Sequence, residues 1–295
     1  MVLEELIGQL EALVRAKDFA SALALCERAL SEKLDKTAQA RVLQFQARIL
    51  VTQSGLWSGP AVACLEKAID LTAGHPDEQG RVLNNCAAAY AALGTVSKCW
   101  EARAAFLEIY RQHKSPLLTR IYPSIEFNFA LSCHIAELLV AAEEGYLLAL
   151  AGYLGLNDPA VEPLITGLKL NLLDVYQETG QHEEANRLLQ EVEKVGHEET
   201  FGAMIRLRRA FHALYKEDLS AALLHVESGL GHPSCDVQTR GALLLAKAKI
   251  LKARGQVLQA HDYALEAMLV AANAYNSHLC SRVCKFLEAL SRGES

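Results

Sequence analysis

Apolar residues recur along this chain with the spacing of amphipathic helices, and the apolar stretches come in pairs separated by short polar turns. The segment 175–192, VYQETGQHEEANRLLQEV, shows the arrangement clearly. Tyr176 ends one apolar stretch, Gly180 marks the turn, and Ala185 begins the apolar face of the next stretch. This order predicts a helix, a tight turn and a second helix, with a small residue where the two helices pack closely.

The same order of turn, small residue and apolar residue recurs along almost the whole chain. Near the N-terminus Asp18 marks a turn that Ala22 follows, and in the third unit Gly94 marks the turn. We expect a short insertion at residues 95–100 of that unit, before Ala102. The fourth unit has the length and helical character of the others but matches the pattern poorly. The predicted units are residues 2–35, 37–72, 78–112, 119–156, 161–195, 200–231 and 237–273, followed by a single helix at 277–291.

This pattern resembles that of the tetratricopeptide repeat (TPR) family, with Tyr176, Gly180 and Ala185 in the family's places. The resemblance implies an all-α fold: a right-handed α-solenoid of about seven TPR-like hairpins with a C-terminal capping helix, in a single domain over residues 1–295. Several units are spaced more widely along this chain than the family's usual period. This longer form of the repeat is similar to the sensor domains of bacterial peptide-pheromone receptors. Those proteins usually add a DNA-binding helix-turn-helix, which we do not expect here because the repeats begin almost at Met1. An unrelated all-α bundle is the alternative fold.

Composition and charge narrow the class of protein. The net charge of −6 argues against a general nucleic-acid binder. Residues 1–200 carry 17 Lys/Arg and 27 Asp/Glu, a net charge of −10, whereas residues 201–295 carry 12 and 8, a net charge of +4. The acidic N-terminus argues against a signal peptide, and three glutamates in the apolar stretch 135–156 argue against a membrane span. Eight cysteines without a CxxC spacing indicate reduced packing residues in a cytoplasmic protein.

Three asparagines occupy equivalent places in successive repeats. The first helix of each TPR hairpin lines the concave groove, and Asn85, Asn128 and Asn171 are matched in the first helices of units three, four and five. A carboxamide offers both donors and an acceptor, so a ladder of them can bracket the backbone of an extended peptide. Groove asparagines in peptide-pheromone receptors and TPR co-chaperones are similar. The alternative is that these residues are exposed by chance or bond neighbouring helices.

The later repeats place basic residues toward the same groove. Arg208 takes the asparagine position in unit six, and Lys249 and Lys252 lie on the predicted groove side of a first helix with five basic residues and no acid. Phe211 is expected to form an apolar wall beside them. A positive end of this kind suits acidic side chains or a C-terminal carboxylate. The carboxylate clamp of TPR co-chaperones is not expected, because Met204 stands where a lysine is needed, and a solvated basic face is the alternative.

The chain lacks the usual signatures of catalysis. It has no Gly-rich phosphate loop and no nucleophile elbow. The sequence HEE at His182 lacks the second histidine of a metalloprotease helix, and His278, Cys280 and Cys284 lack an evident fourth zinc ligand. We therefore expect no enzyme activity, no metal and no cofactor.

The sequence thus predicts a module that holds an extended polypeptide segment in its groove. The expected partner is a protein or peptide with an acidic or C-terminal carboxylate group, not nucleic acid or a membrane, and a homodimer is left open. The expected contact residues are Asn85, Asn128, Asn171, Arg208, Phe211, Lys249 and Lys252. Two alternatives remain: a peptide-sensing regulatory protein that resembles quorum-sensing receptors without a DNA-binding domain, and a structural scaffold.

Overall fold

The computed structural model describes residues 3–54, 57–273 and 276–292, and within these ranges the chain is helical and contains no strand. The predicted all-α fold class is confirmed. Helix bounds in chain order are α1 Leu3–Arg15, α2 Phe19–Ser31, α3 Lys36–Ser54, α4 Gly59–Leu71, α5 Pro76–Ala92, α6 Val96–His113, α7 Pro116–Ile135, α8 Leu139–Gly155, a 3-10 helix Pro159–Val161, α9 Glu162–Glu178, α10 His182–Val195, α11 Glu198–Tyr215, α12 Leu219–Leu230, α13 Val237–Ala253, α14 Val257–Asn273 and α15 Ser277–Ser291.

Consecutive helices pair into hairpins, and the chain divides into two compact units, residues 1–157 (unit 1) and 158–295 (unit 2). Unit 1 holds the hairpins from α1–α2 to α7–α8. Unit 2 holds those from α9–α10 to α13–α14, with α15 packed against the last of them. In the described part of the chain this gives seven hairpins and a closing helix, as predicted. That all residues form one continuous domain stays a prediction.

The first helices of successive hairpins also contact one another. In unit 1, α5 packs against both α3 and α7, and in unit 2, α11 packs against both α9 and α13. A hairpin with one apolar face cannot bury that face alone, so it stacks on the next hairpin. Within each unit the first helices therefore share a face, and the cavities described below lie against it.

The six hairpin turns that the structure describes in full have the same backbone geometry. The second residue after the first helix has a left-handed φ, and the N–H of the residue that follows it donates to a carbonyl in the last turn of that helix. At Gly94, for example, φ is 69°, and the Thr95 N–H lies 2.9 Å from the carbonyl oxygen of Tyr90. This bond satisfies a carbonyl that the end of the helix leaves free, as in a Schellman motif. The left-handed residues are Lys17, Gly94, Glu137, Gly180, Glu217 and Gly255.

Exchanging residues at this turn position is expected to change stability in opposite directions. Glu137→Gly should raise the free energy of unfolding of unit 1 by about 0.5–1 kcal/mol, because a side chain is strained at positive φ, and Gly94→Ala should lower it by about 1–2 kcal/mol. Urea unfolding followed by tryptophan fluorescence measures this, since Trp57 and Trp100 both lie in unit 1. Gly8→Ala is the control: this helical site has open space around the added methyl group, and the change should stabilise.

A buried small residue lies at the same place in six of the second helices, and its position corrects one expectation. The insertion predicted at residues 95–100 is wrong, because α6 begins at Val96, directly after the turn. Cys99, not Ala102, therefore occupies the small-residue position of the third hairpin. The six buried residues at this position are Ala22, Cys99, Ala142, Ala185, Ala222 and Ala260.

The fourth hairpin forms in the same way as the others despite its poor match to the repeat pattern. Gly145 of α8 faces α7 so closely that an added Cβ atom would lie 2.9 Å from the Cβ of Ala130. Tyr146, which is fully buried, fills the space beside this close approach. Gly145 thus adds a second small residue to α8, beside Ala142 at the position that the other repeats share.

Candidate functional site

A cavity of about 540 Å³ lies in unit 2 against the first helices α9, α11 and α13, with α10 and α15 completing its wall. Met204, Phe211 and Leu245 belong to the apolar part of the wall, and Arg208 and Lys249 belong to the polar part. Ordinary ligand sites combine an apolar lining with a few polar groups in this way and have about 300–1,000 Å³. This cavity, called the unit 2 cavity below, is therefore the first candidate for a binding site.

Helix periodicity explains how one cavity collects these residues. Side chains three or four positions apart lie on the same face of a helix. On α11 the lining residues follow that spacing: Met204, Arg208, Phe211, His212 and Tyr215. On α13 they do so as well: Gln238, Ala242, Leu245 and Lys249. Each first helix thus presents one lengthwise strip to the cavity.

Arg208 is held firmly by its neighbours. It is 5% exposed, and its guanidinium group forms an ion pair with the carboxylate of Asp174 on α9. One Nη atom also lies 3.5 Å from the carbonyl oxygen of Met204, and Gln177 donates to the Arg208 carbonyl at 3.4 Å. Arg208 therefore lines the cavity, but its charge is already balanced by α9.

Two further cations lie at the cavity and differ in their partners. Arg282 of α15 is 3.7 Å from the carboxylate of Glu178. Lys249 has no carboxylate within ion-pair distance in the described part of the chain, and its Nζ atom lies 5.8 Å from the centre of the Phe211 ring. Burial lowers the pKa of the Lys249 ammonium group from its usual value, and Arg282 lowers it further, whereas Glu178 raises it. Lys249 is thus a partly desolvated cation that faces apolar groups.

Histidine and tyrosine side chains form another part of the wall. His182 at the start of α10 stacks on Tyr215, with the ring centres 3.5 Å apart. Burial lowers the pKa of His212, and the nearby Lys216 and His182 lower it further, which favours the neutral imidazole. This side of the cavity offers ring faces and neutral polar atoms to a ligand.

A second cavity, of about 400 Å³, lies in unit 1 between α3, α4 and α5. Phe45, Val51 and Trp57 form much of its apolar wall. Asn85 lies at its edge, and the Nδ2 atom of Asn85 donates to Oε1 of Gln44 at 2.9 Å. Asn85 is therefore accessible from a cavity, although one of its donors is already used between two first helices.

The other two predicted asparagines do not line either cavity. Asn128 is only 8% exposed, and its Nδ2 atom lies 3.3 Å from Oδ1 of Asn84, because the packing of α7 on α5 covers it. The expectation that Asn128 opens into a groove is therefore corrected. Asn171 is half-buried on α9, one turn before Asp174 on the same helical face, but it does not line the cavity. A role of the asparagines in binding stays a prediction.

The groove residues predicted in the later repeats separate into two groups. Arg208, Phe211 and Lys249 come together at the unit 2 cavity, as expected from their spacing. Lys252 does not line it, and its Nζ atom lies 6.0 Å from the centre of the Phe286 ring of α15. The single basic face that the sequence suggested is thus divided by the packing of α15.

Sequence reasoning missed the acidic and C-terminal parts of this site. Asp174 and Glu178 lie one turn apart on α9 and pair with Arg208 and Arg282 respectively. The spacing of the two acids on one helical face was a usable signal. The contribution of Arg282 had no such signal, because it depends on how α15 packs against the first helices.

No described helix has the length and apolar character needed to cross a bilayer. Within the same residue ranges, no cluster of three or more His, Cys, Asp or Glu side chains is arranged to hold a metal ion.

Solved structures share this arrangement of helices. RapI in its apo form is 13% identical, with a TM-score of 0.68 over 92% of this chain and 99% of that chain. A tetratricopeptide repeat protein from Parabacteroides merdae ATCC 43184 is 17% identical, with a TM-score of 0.66 over 96% and 97%. BtubC from P. vanneervenii is 16% identical, with a TM-score of 0.56 over 65% and 78%. No protein-family model and no curated protein matches the sequence.

At these identities the likeness shows the fold. The predicted resemblance to TPR proteins is therefore confirmed at the level of the fold. The hairpins and the unit 2 cavity together define a TPR-like helical-repeat protein with a charged, partly apolar cavity.

Proposed function

We propose that this chain is a binding module, not an enzyme, and that it holds a polypeptide segment of a partner in the unit 2 cavity. The observation that carries the proposal is the cavity itself, where strips from α9, α11 and α13 place apolar and charged side chains around one space. Its volume suits a few side chains of an extended segment rather than a folded domain. Negative charge on the segment would complement the basic residues there.

Residues outside this cavity extend the proposal to a longer segment. Asn85 at the edge of the unit 1 cavity and Asn171 on α9 are proposed as further contacts with the backbone of the partner. Each lies on a first helix, and a carboxamide matches a peptide group in both its donor and its acceptor.

The cysteines support a reducing compartment, and we propose the cytoplasm. All eight are free thiols. Burial raises the pKa of Cys26 and of Cys86 to about 12, so both thiols stay protonated at neutral pH and act as packing residues. Proteins of oxidising compartments more often pair their cysteines.

Blocking the unit 2 cavity tests the proposal. Short peptides selected from a displayed random library with the wild-type protein should bind Ala242→Trp at least about ten-fold more weakly, because the indole ring would occupy the cavity. Ala253→Trp is the matched control, since Ala253 is exposed on the same helix and lies outside the cavity. Calorimetry or fluorescence anisotropy gives the dissociation constants, and circular dichroism checks that both variants are folded.

Two results would contradict the proposal: selection of no peptide, or equal binding by Ala242→Trp and the wild type.

The scaffold alternative would then be favoured, because α8 carries an exposed apolar strip. Val140 is 73% exposed, Leu154 is 56% exposed, and Leu147 and Leu148 lie between them on the same side. Exposed strips of this size often mark protein–protein contacts.

A further inference from the structure

The three cations of the unit 2 cavity are unequally paired. Arg208 is neutralised by Asp174, and Arg282 lies within ion-pair distance of Glu178. Among the described residues, no carboxylate lies at that distance from Lys249. The cavity therefore holds one positive charge that the fold does not balance.

The surroundings of Lys249 make this charge costly. Its helix, α13, packs between α11 and α14, and the ammonium group lies near the Phe211 ring and on the same cavity wall as Leu245. Burial and the nearby Arg282 lower the pKa of Lys249, and Glu178 offsets this only in part. An anion bound beside Lys249 would relieve this cost, and the interaction would be strong because water is partly excluded.

We propose that the unit 2 cavity binds a single carboxylate attached to an apolar group, with Lys249 as the anchor of the carboxylate. Met204, Phe211 and Leu245 contact the apolar group, and Arg208 serves to position α9 and α11 without contacting the anion. This inference rests on the proposed function, because the carboxylate belongs to the bound polypeptide.

The pairing of charges also sets the kind of anion. A carboxylate carries one negative charge, which matches the one unbalanced cation. A phosphate group carries nearly two charges at neutral pH, so it would need Arg282 to leave Glu178. The cavity thus favours a carboxylate over a phosphorylated residue.

A carboxylate of a peptide comes from its C-terminus or from an Asp or Glu side chain, and three peptide pools separate these sources. The first pool consists of short random peptides without Asp or Glu and with a free C-terminus. The second has the same sequences with an amidated C-terminus, and the third is amidated but contains Asp and Glu. Tighter binding of the first pool than of the second identifies a terminal carboxylate, and tighter binding of the third than of the second identifies a side-chain carboxylate.

The variant Lys249→Met tests the anchor, since it removes the charge and keeps most of the apolar stem. We expect the best peptides of the preferred pool to bind Lys249→Met about ten-fold to hundred-fold more weakly, as for the loss of a charge-assisted hydrogen bond. Lys247→Met is the matched control. Lys247 lies on the same helix, is 3.4 Å from Glu227 and does not line the cavity, so this variant should bind like the wild type.

The possible outcomes separate this inference from the proposed function. If Ala242→Trp weakens binding but the three pools bind equally, or if Lys249→Met binds like the wild type, the cavity binds peptides and the carboxylate inference is overturned. Tighter binding of amidated phosphoserine peptides than of the carboxylate pools would also overturn it. If no pool binds the wild type, the proposed function fails and the inference fails with it.

Discussion

Arg103→Met is expected to lower the free energy of unfolding of unit 1 by about 3–5 kcal/mol, since it leaves a buried carboxylate without its partner. The Nε atom of Arg103 lies 2.8 Å from Oε2 of Glu126, whose side chain is 1% exposed. The other carboxylate oxygen of Glu126 is buried and has no hydrogen-bond partner. Arg103 therefore provides the main compensation for placing this charge in the packed region between α6 and α7.

The size of this loss should depend on pH. Burial raises the pKa of Glu126 from its usual value, although Arg103 lowers it, so removal of Arg103 should raise the pKa further. A carboxyl whose folded-state pKa is raised is favoured in its neutral form, and this contribution is present at low pH and lost as the pH rises through the folded pKa. The difference between Arg103→Met and the wild type should therefore be largest near neutral pH and shrink as the pH falls.

Urea unfolding followed by tryptophan fluorescence, at about pH 7.5 and about pH 5, measures both effects in unit 1. Arg111→Met is the matched control on the same helix. Arg111 pairs with Glu108, but both side chains are more than half exposed, so the change should cost less than about 1 kcal/mol. Equal losses in the two variants, or a loss in Arg103→Met that does not change with pH, would show that the Arg103–Glu126 pair contributes little.

Asp174→Leu is expected to lower the stability of unit 2 by about 3 kcal/mol, and more than Arg208→Met does. The physical reason is the unequal exposure of the two partners. The Arg208 side chain is 6% exposed and the Asp174 side chain is 24% exposed. Loss of the acid leaves a buried guanidinium group, whose Nε atom already lacks a hydrogen-bond partner, whereas loss of the arginine leaves a carboxylate that water can reach.

Native-state hydrogen exchange of the most protected amides in α9 and α11 measures this stability, because unit 2 contains no tryptophan. Comparing the losses of stability in Asp174→Leu and Arg208→Met also tests whether Arg208 positions α9 and α11. If Arg208→Met destabilises unit 2 as much as Asp174→Leu, the unequal burial of the two partners does not determine the loss of stability. If Arg208→Met leaves the stability unchanged but abolishes peptide binding, Arg208 contacts the ligand rather than positioning the helices.

Much of the fold was predictable because its signals are local. Gly94, Gly180 and Gly255 mark turns where a left-handed residue is needed, and Ala22, Ala222 and Ala260 mark the close approach of paired helices. The third hairpin was misaligned because Cys99 takes the place of the expected alanine. The fourth was hard to recognise because Glu137 takes the place of the turn glycine, although Ala142 keeps the small-residue position.

The candidate site was predictable only in part. Helix spacing placed Arg208, Phe211 and Lys249 on the correct side of their helices, and all three line one cavity. The asparagines shared an equivalent position, yet Asn128 is buried by α7 and α5 whereas Asn85 reaches a cavity. Equivalent positions in a repeat thus fix the direction of a side chain but not how closely the neighbouring helices cover it.

The sequence by itself determined that this protein is a series of helical hairpins with a closing helix, because helix periodicity, turn residues and small packing residues act over a few neighbouring positions. The tertiary structure decided which charges remain available to a ligand. Arg208 and Asp174, and likewise Arg282 and Glu178, are distant in the sequence and meet only through the packing of first helices and α15. Electrostatic pairing depends on distances between such helices, so Lys249 could be recognised as the unbalanced cation only once those distances were known.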